Sequence, residues 1–310
     1  MEKKNWSGCF AIPMTPYTEQ DRIDEEILAA EIDFICESRA GGIVAPVMVS
    51  EFSALDEAER KQMVRVTVQA AGGRTPVIAN CAAVNTRTAV EFAVYAQQAG
   101  ADGLIAMPPY TMVPDFERIY AYYQAIDAAV TIPIMIQNAG LAPLNPDQVI
   151  RLCGELEHVK WVKEEVHPGP KSVSRLAARN SPHVHGIMGG MGGLHLLNER
   201  ARGAVGCIPA CEFCDVIQRV WDLMDAGWTA EGEELFERLL PGIVLEGLLG
   251  MGYAKEIMIR RGVFTNSRMR TQSNPLDKAD LLEVDRMWKR LEPHLLWRKG
   301  GGTVEKINEN

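Results

Sequence analysis

The feature that most constrains this chain is an alternation repeated eight times. Short runs rich in apolar and β-branched residues, at 9–14, 42–47, 76–80, 103–107, 133–137, 159–163, 184–188 and 204–208, are separated by longer stretches. Those stretches carry helical patterns at about 24–38, 56–71, 86–99, 115–129, 146–154, 171–178 and 194–202. Strands that alternate with helices of this length make βαβ units and a parallel sheet. Eight such units are the number that closes a (β/α)8 TIM barrel of about 250 residues. An open, doubly wound sheet would carry a Gly-x-Gly-x-x-Gly turn after its first strand; the turn here reads Met14-Thr15-Pro16-Tyr17.

After the eighth strand mainly helical patterns follow, at about 215–226, 231–239, 243–261 and 278–291. The expected organisation is an α/β barrel over 1–225, C-terminal helices packed on it over 226–298, and a disordered tail over 299–310. Several helix starts are written in the sequence. Asn145-Pro146-Asp147 offers an N-cap, a proline at the first helical position and an acid in the first turn. Ser53 to Asp56 has the spacing of a weak capping box.

Composition excludes several classes of function. Lys and Arg total 32 against 41 Asp and Glu, a net charge of −9, which is the wrong sign for a nucleic-acid footprint. The seven cysteines have no regular spacing, so a disulfide framework is not expected. Cys211 and Cys214 form a Cys-x-x-Cys with no second pair or histidine cluster at zinc spacing, so they read as buried thiols and no metal is expected. The N-terminus lacks a secretory pattern, and no run of about 20 apolar residues could span a bilayer. A cytoplasmic location and no membrane partner are therefore expected.

The segment Val159-Lys160-Trp161-Val162-Lys163-Glu164-Glu165-Val166 puts two lysines into one strand. Lys160 and Lys163 are three apart and must face opposite sides. Lys163 shares a face with Trp161 and sits at the C-terminal end of the strand, where barrel enzymes carry their chemistry. Lys160 reads as a bottom or solvated charge. A desolvated lysine becomes a nucleophilic amine able to form a Schiff base with a ketone. The structural alternative is a buried ion pair with Glu164 or Glu51.

With these residues in place, the chain resembles the Schiff-base aldolases of the dihydrodipicolinate synthase and N-acetylneuraminate lyase family. The opening GCFAIPMTPYTEQDRID is similar to the family's first strand and turn. Met107-Pro108-Pro109-Tyr110 resembles its PPYY, and Trp161-Val162-Lys163-Glu164 matches the Schiff-base segment. Gly203 to Ile208 resembles the strand that closes the site, and Ala254-Lys255-Glu256 matches a helix of the C-terminal region. The resemblance runs from Gly8 to about Leu296. It implies an imine on Lys163 with no cofactor, a small 2-oxo acid substrate and a homo-oligomer, commonly a tetramer.

The departures bear on the reaction. The family's GTTGE after strand two reads Val47-Met48-Val49-Ser50-Glu51, and only the glutamate is kept. A substrate carboxylate would then be held by Met48, Val49 and Ser50 through backbone N–H groups and one hydroxyl. The second tyrosine of PPYY is Thr111, and the strand-five tyrosine is Gln137. The proton relay of the synthases is absent at Met48, Thr111 and Gln137, which argues against lysine biosynthesis. Retro-aldol cleavage needs a base at the C4 hydroxyl, and an amide has no useful basicity. Dehydration needs a base at C3 instead. Gln137 and the Ser50-Glu51 pair also resemble the 2-keto-3-deoxy-arabonate dehydratase branch.

The expected function is dehydration of a 2-keto-3-deoxy sugar acid, giving 2-oxoglutarate semialdehyde from a pentonate. Release of pyruvate by retro-aldol cleavage and non-catalytic binding of a 2-oxo acid are the alternatives. The expected catalytic residues are Lys163, Gln137 and Tyr110; Met48, Val49, Ser50, Ile208 and Gly189 are expected to bind substrate. The C3 base is left open among the released water, Tyr110 and Lys163, with Glu51 weaker and structural. The run Gly186-Ile-Met-Gly189-Gly190-Met-Gly192-Gly193 could seat a phosphate, or let the backbone approach substrate hydroxyls. His167 and His195 are loop or helix-start residues near the mouth.

Overall fold

The computed structural model describes residues 5–112, 115–271 and 275–299, and the backbone of 302–303. Eight parallel strands close into a barrel in chain order. They are β1 (Gly8–Ala11), β2 (Gly42–Ala45), β3 (Val77–Asn80), β4 (Gly103–Ala106), β5 (Ile134–Asn138), β6 (Val159–Glu164), β7 (Gly186–Gly189) and β8 (Gly206–Cys207). The helices between them are α1 (Glu25–Glu37), α2 (Glu57–Ala71), α3 (Thr86–Ala99), α4 (Phe116–Asp127), α5 (Pro146–Glu155), α6 (Gly169–Ala177) and α7 (Leu196–Arg200). The expected fold class is the one observed.

Strand alternation divides the apolar residues into two shells. Phe10, Val44, Ile78, Ile105, Met135, Trp161 and Met188 point inward and fill the barrel. Their neighbours Ala79, Leu104, Ile136, Val162 and Ile187 point outward, under the helices. The first strand is shorter than expected because Pro13 has no N–H to give the ladder. Asn145 caps α5 as expected, accepting from Gln148 N. The cap of α2, however, is Asp56 with Glu59 completing the box, and Ser53 lies in a separate 3₁₀ turn.

The C-terminal helices are α8 (Cys214–Asp225), α9 (Thr229–Leu249), α10 (Met251–Arg260) and α11 (Lys278–Leu291). The break expected near 240–242 is instead at Gly250, with φ 72°. Pro241 sits inside α9, where Phe236, Leu239, Ile243 and Leu245 bury one face on both sides of it. That packing outweighs the hydrogen bond a proline forfeits. The helices share one core with the barrel, in which Phe34 of α1 meets Trp297 edge-on at 4.9 Å. Gly302–Thr303 pair antiparallel with Trp297–Arg298, and 304–310 of the expected tail lie outside the described residues. No helix among the described residues is long and apolar enough to cross a membrane.

Candidate active site

Lys160 points outward, and its Nζ donates to the carbonyls of Cys153 and Leu156 at the end of α5. Those carbonyls have no partner within the helix, so the lysine serves as a cap. Lys163 points inward above Trp161 and is 5% exposed. In β5, Gln137 stands opposite Lys163 in register and is also buried.

One carboxylate joins the two. Lys163 Nζ lies 3.0 Å from Glu165 Oε1, and Gln137 Nε2 donates to Glu165 Oε2 at 3.1 Å. The ion-pair partner is therefore neither Glu164 nor Glu51. Glu164 turns to the outside, where it accepts from Asn138 Nδ2 (2.8 Å), Ser172 Oγ (2.9 Å) and Val166 N (3.1 Å). Alternation settles the matter: Glu165 is two residues from Lys163 and shares its face, while Glu164 does not. Glu51 is fully buried against Lys255 Nζ at 2.8 Å, and its other oxygen accepts from Arg270 N, Thr271 N and Thr271 Oγ1.

The turn after β2 is a 3₁₀ turn, Met48–Ser50. Met48 is exposed and Val49 half-buried. The first amides of such a turn have no partner inside it. Ser50 is buried, and its hydroxyl donates to Pro13 O at 2.6 Å and accepts from Val47 N at 3.3 Å. That hydroxyl ties β1 to β2, which leaves the backbone of Met48 and Val49 as the donors of this turn.

Tyr110 lies against Phe52, edge-on at 5.9 Å, in a cavity of about 340 Å³ that Arg60 and Phe92 also line. Burial raises its hydroxyl, with Arg60 opposing, so the phenol is a poor base. Ile208 is buried in the inner cluster, and its N–H donates to Gly189 O at 3.0 Å. Cys211 donates its thiol to Glu31 Oε1 at 3.1 Å. His195 is half-buried at the start of α7, and His167 is exposed.

Four further carboxyls were not among the residues expected at the site. Glu165 had a signal, its spacing from Lys163. Glu199 on α7, Glu212 after β8 and Glu246 on α9 had none, because the chain brings them together over long separations. Glu199 and Glu212 are buried. Glu199 is pushed up to about 7 by burial and by the nearby Glu165 and Glu164. Glu246 is also pushed up to about 7, by burial, with contact to Glu212 and the charge of Lys163 acting the other way.

A family model described as the dihydrodipicolinate synthetase family matches residues 5–290. An L-2-keto-3-deoxyarabonate dehydratase of Azospirillum brasilense is 27% identical over 299 residues, covering 93% of this chain and 96% of that one. A protein of a Bradyrhizobium species (strain BTAi1), described as a "Probable 5-dehydro-4-deoxyglucarate dehydratase", is 33% identical over 166 residues. That match spans 54% of this chain and 53% of the relative, about half of each. Among solved structures, a dihydrodipicolinate synthase of Rhodopseudomonas palustris superposes with a TM-score of 0.84 at 26% identity, covering 92% of this chain and 97% of that one.

Proposed function

The chain belongs to the dihydrodipicolinate synthetase family, and we propose that within it the protein is a Schiff-base lyase that dehydrates a 2-keto-3-deoxy sugar acid on Lys163. One observation carries the reading: the Glu165 carboxylate bridges Lys163 Nζ and the Gln137 amide. The long match to an L-2-keto-3-deoxyarabonate dehydratase supports the same branch.

The chemistry follows from positions. The Lys163 amine attacks the C2 ketone, water leaves, and an iminium forms. Glu165 can take the proton that the ammonium must lose before it attacks. C3 is two bonds from Nζ, so a carboxylate 3.0 Å from Nζ reaches a C3 proton. The iminium acidifies that proton, and Glu165 removes it to give an enamine. The enamine electron pair expels the C4 oxygen, which leaves as water with the proton carried by Glu165. For a pentonate, a proton then moves from C5 to C3, and the resulting enol becomes an aldehyde. Hydrolysis frees 2-oxoglutarate semialdehyde and the lysine. The water consumed at hydrolysis balances the one released at imine formation, so one water is lost overall.

Gln137 has no basicity to contribute. It positions Glu165. The amides of Met48 and Val49 offer donors for the C1 carboxylate. No cofactor enters, because the iminium is the electron sink.

Borohydride reduction in the presence of pyruvate or a 2-keto-3-deoxy acid tests the first step. A stable adduct on the Lys163 peptide by mass is expected, and an adduct on Lys160 or none at all would sink the mechanism. Semialdehyde oxidised by an added dehydrogenase, without pyruvate in a lactate dehydrogenase assay, is expected for the second step. The reverse result assigns retro-aldol cleavage.

A further inference from the structure

Three glycines at the end of β7 and just after it leave space that three glutamate side chains fill. A Cβ at Gly189 would stand 1.7 Å from Glu199 Oε2, one at Gly190 2.2 Å from Glu165 Oε1, and one at Gly192 2.7 Å from Glu246 Oε2. The glycine run therefore seats carboxyl groups, which is the opposite of what a phosphate loop does. Glu246 is in turn within hydrogen-bond reach of Glu212. Both oxygens of Glu199, and Glu212 Oε2, are buried without a hydrogen-bond partner among the described residues. Among the described residues Glu199, Glu212 and Glu246 have no ion pair, and Glu165 has one, with Lys163.

Among the described residues, two cations act on this group of acids. Lys163 pairs with Glu165 and acts on Glu246. Arg261 acts on Glu212 but is itself committed to Asp215 at 2.8 Å. With Lys163 as an iminium to C2 and the C1 carboxylate at the turn after β2, Glu246, which lies at Gly192 and under the charge of Lys163, is the carboxyl placed to meet the far end of the substrate. Two carboxyls that share one proton still carry one negative charge, which repels an anionic ligand end. A carboxyl pair that shares a proton both donates and accepts, which suits a hydroxyl.

We infer that the distal end of the substrate is uncharged: Glu246, held by Glu212, receives the hydroxyl end of a 2-keto-3-deoxy aldonate, and the same carboxyls exclude aldarates and phosphorylated sugar acids. The inference rests on the proposed imine at Lys163. It also separates the two dehydratase substrates named among the relatives, since only the deoxyglucarate carries a second carboxylate.

The test reads binding through imine formation rather than through dehydration. The concentration giving half-maximal borohydride trapping on Lys163 is measured for a six-carbon pair. One member is 2-keto-3-deoxygluconate, with CH2OH at C6; the other is the corresponding aldarate, with a carboxylate there. The wild-type protein is expected to need about tenfold or more of the aldarate, a difference of about 1.4 kcal/mol. In Glu246→Gln that ratio is expected to shrink toward one. Pyruvate lacks a distal end, so a Glu246→Gln protein that still traps it on Lys163 is folded and reactive. Equal trapping of the two sugar acids by the wild-type protein overturns the inference whatever the variant does, as does an unchanged ratio in a Glu246→Gln that still traps pyruvate. No trapping with any 2-oxo acid overturns this inference and the imine together. Selective trapping without loss of water overturns only the dehydratase reading.

Discussion

Two lysines three residues apart in β6 meet opposite fates, and the residue after next decides what the buried one can do. Lys163 and Glu165 share an inward face because a strand repeats every two residues. The lysine's place was legible from that period, and so was the glutamate's, had the period been applied once more. Gln137 was legible as a departure from the family, but its partner was not, because a hydrogen bond between β5 and β6 depends on closure of the barrel. At this scale the proposal makes a sharp division of labour. Glu165→Gln keeps the size but removes the base, and leaves one acceptor oxygen where Lys163 and Gln137 had two. Imine trapping with pyruvate is expected to persist, though more slowly, while kcat for dehydration falls by roughly 10²–10⁴-fold. Gln137→Ala should weaken dehydration through a mispositioned Glu165, and its loss should show in kcat more than in the pyruvate trapping concentration. A Glu165→Gln protein that dehydrates at the wild-type rate would remove Glu165 from the mechanism.

At the scale of elements, the strand and helix order was readable because hydrophobic period, caps and glycine stops agree along the barrel. The C-terminal half was less readable. Pro241 looks like a stop locally, yet tertiary packing carries α9 through it, and the stop falls at Gly250. The tie between α10 and the barrel was visible only as a matched motif. Lys255 on α10 donates to Glu51 Oε1 and to Thr15 O, both at 2.8 Å, and the pair is fully buried. A buried charge that loses its partner is costly, about 3–5 kcal/mol. Lys255→Met strands Glu51 beneath α10 and should lower the thermal midpoint clearly, on the order of 5–10 °C. Below that midpoint, pyruvate should still be trapped on Lys163, because Lys255 holds the frame and does not react. An adduct on the Lys255 peptide would contradict that assignment.

At the scale of the whole molecule, an acidic protein has buried several of its acids, and this sets how stability follows pH. Glu31 is pushed up to about 8 by burial, against the opposing bonds from Cys211 and Met14 N. Glu199 and Glu246 stand at about 7. Each folded-state value lies above the unfolded reference of 4.5. The folded protein therefore holds protons that the unfolded chain has released. Their contribution is fully present below the unfolded value and is lost as pH rises through the folded one. Glu51 has the opposite sign: burial raises it, but Lys255 and the amides of Thr271 and Arg270 prevail and hold it below 4.5. Its contribution disappears on the acid side. Stability should thus peak near pH 5 and decline toward pH 8, by up to about 1.4 kcal/mol per pH unit for each site in transition. Glu199→Gln carries an amide that never ionises, so it should remove the Glu199 share of that decline. Thermal midpoints of the two proteins, measured at half-unit steps from pH 5 to 8, should diverge in favour of the variant as pH rises. Parallel curves would mean that Glu199 is already ionised in the folded state at pH 5. The packing of its carboxyl against Gly189 would then have to accommodate a charge that has no hydrogen-bond partner among the described residues.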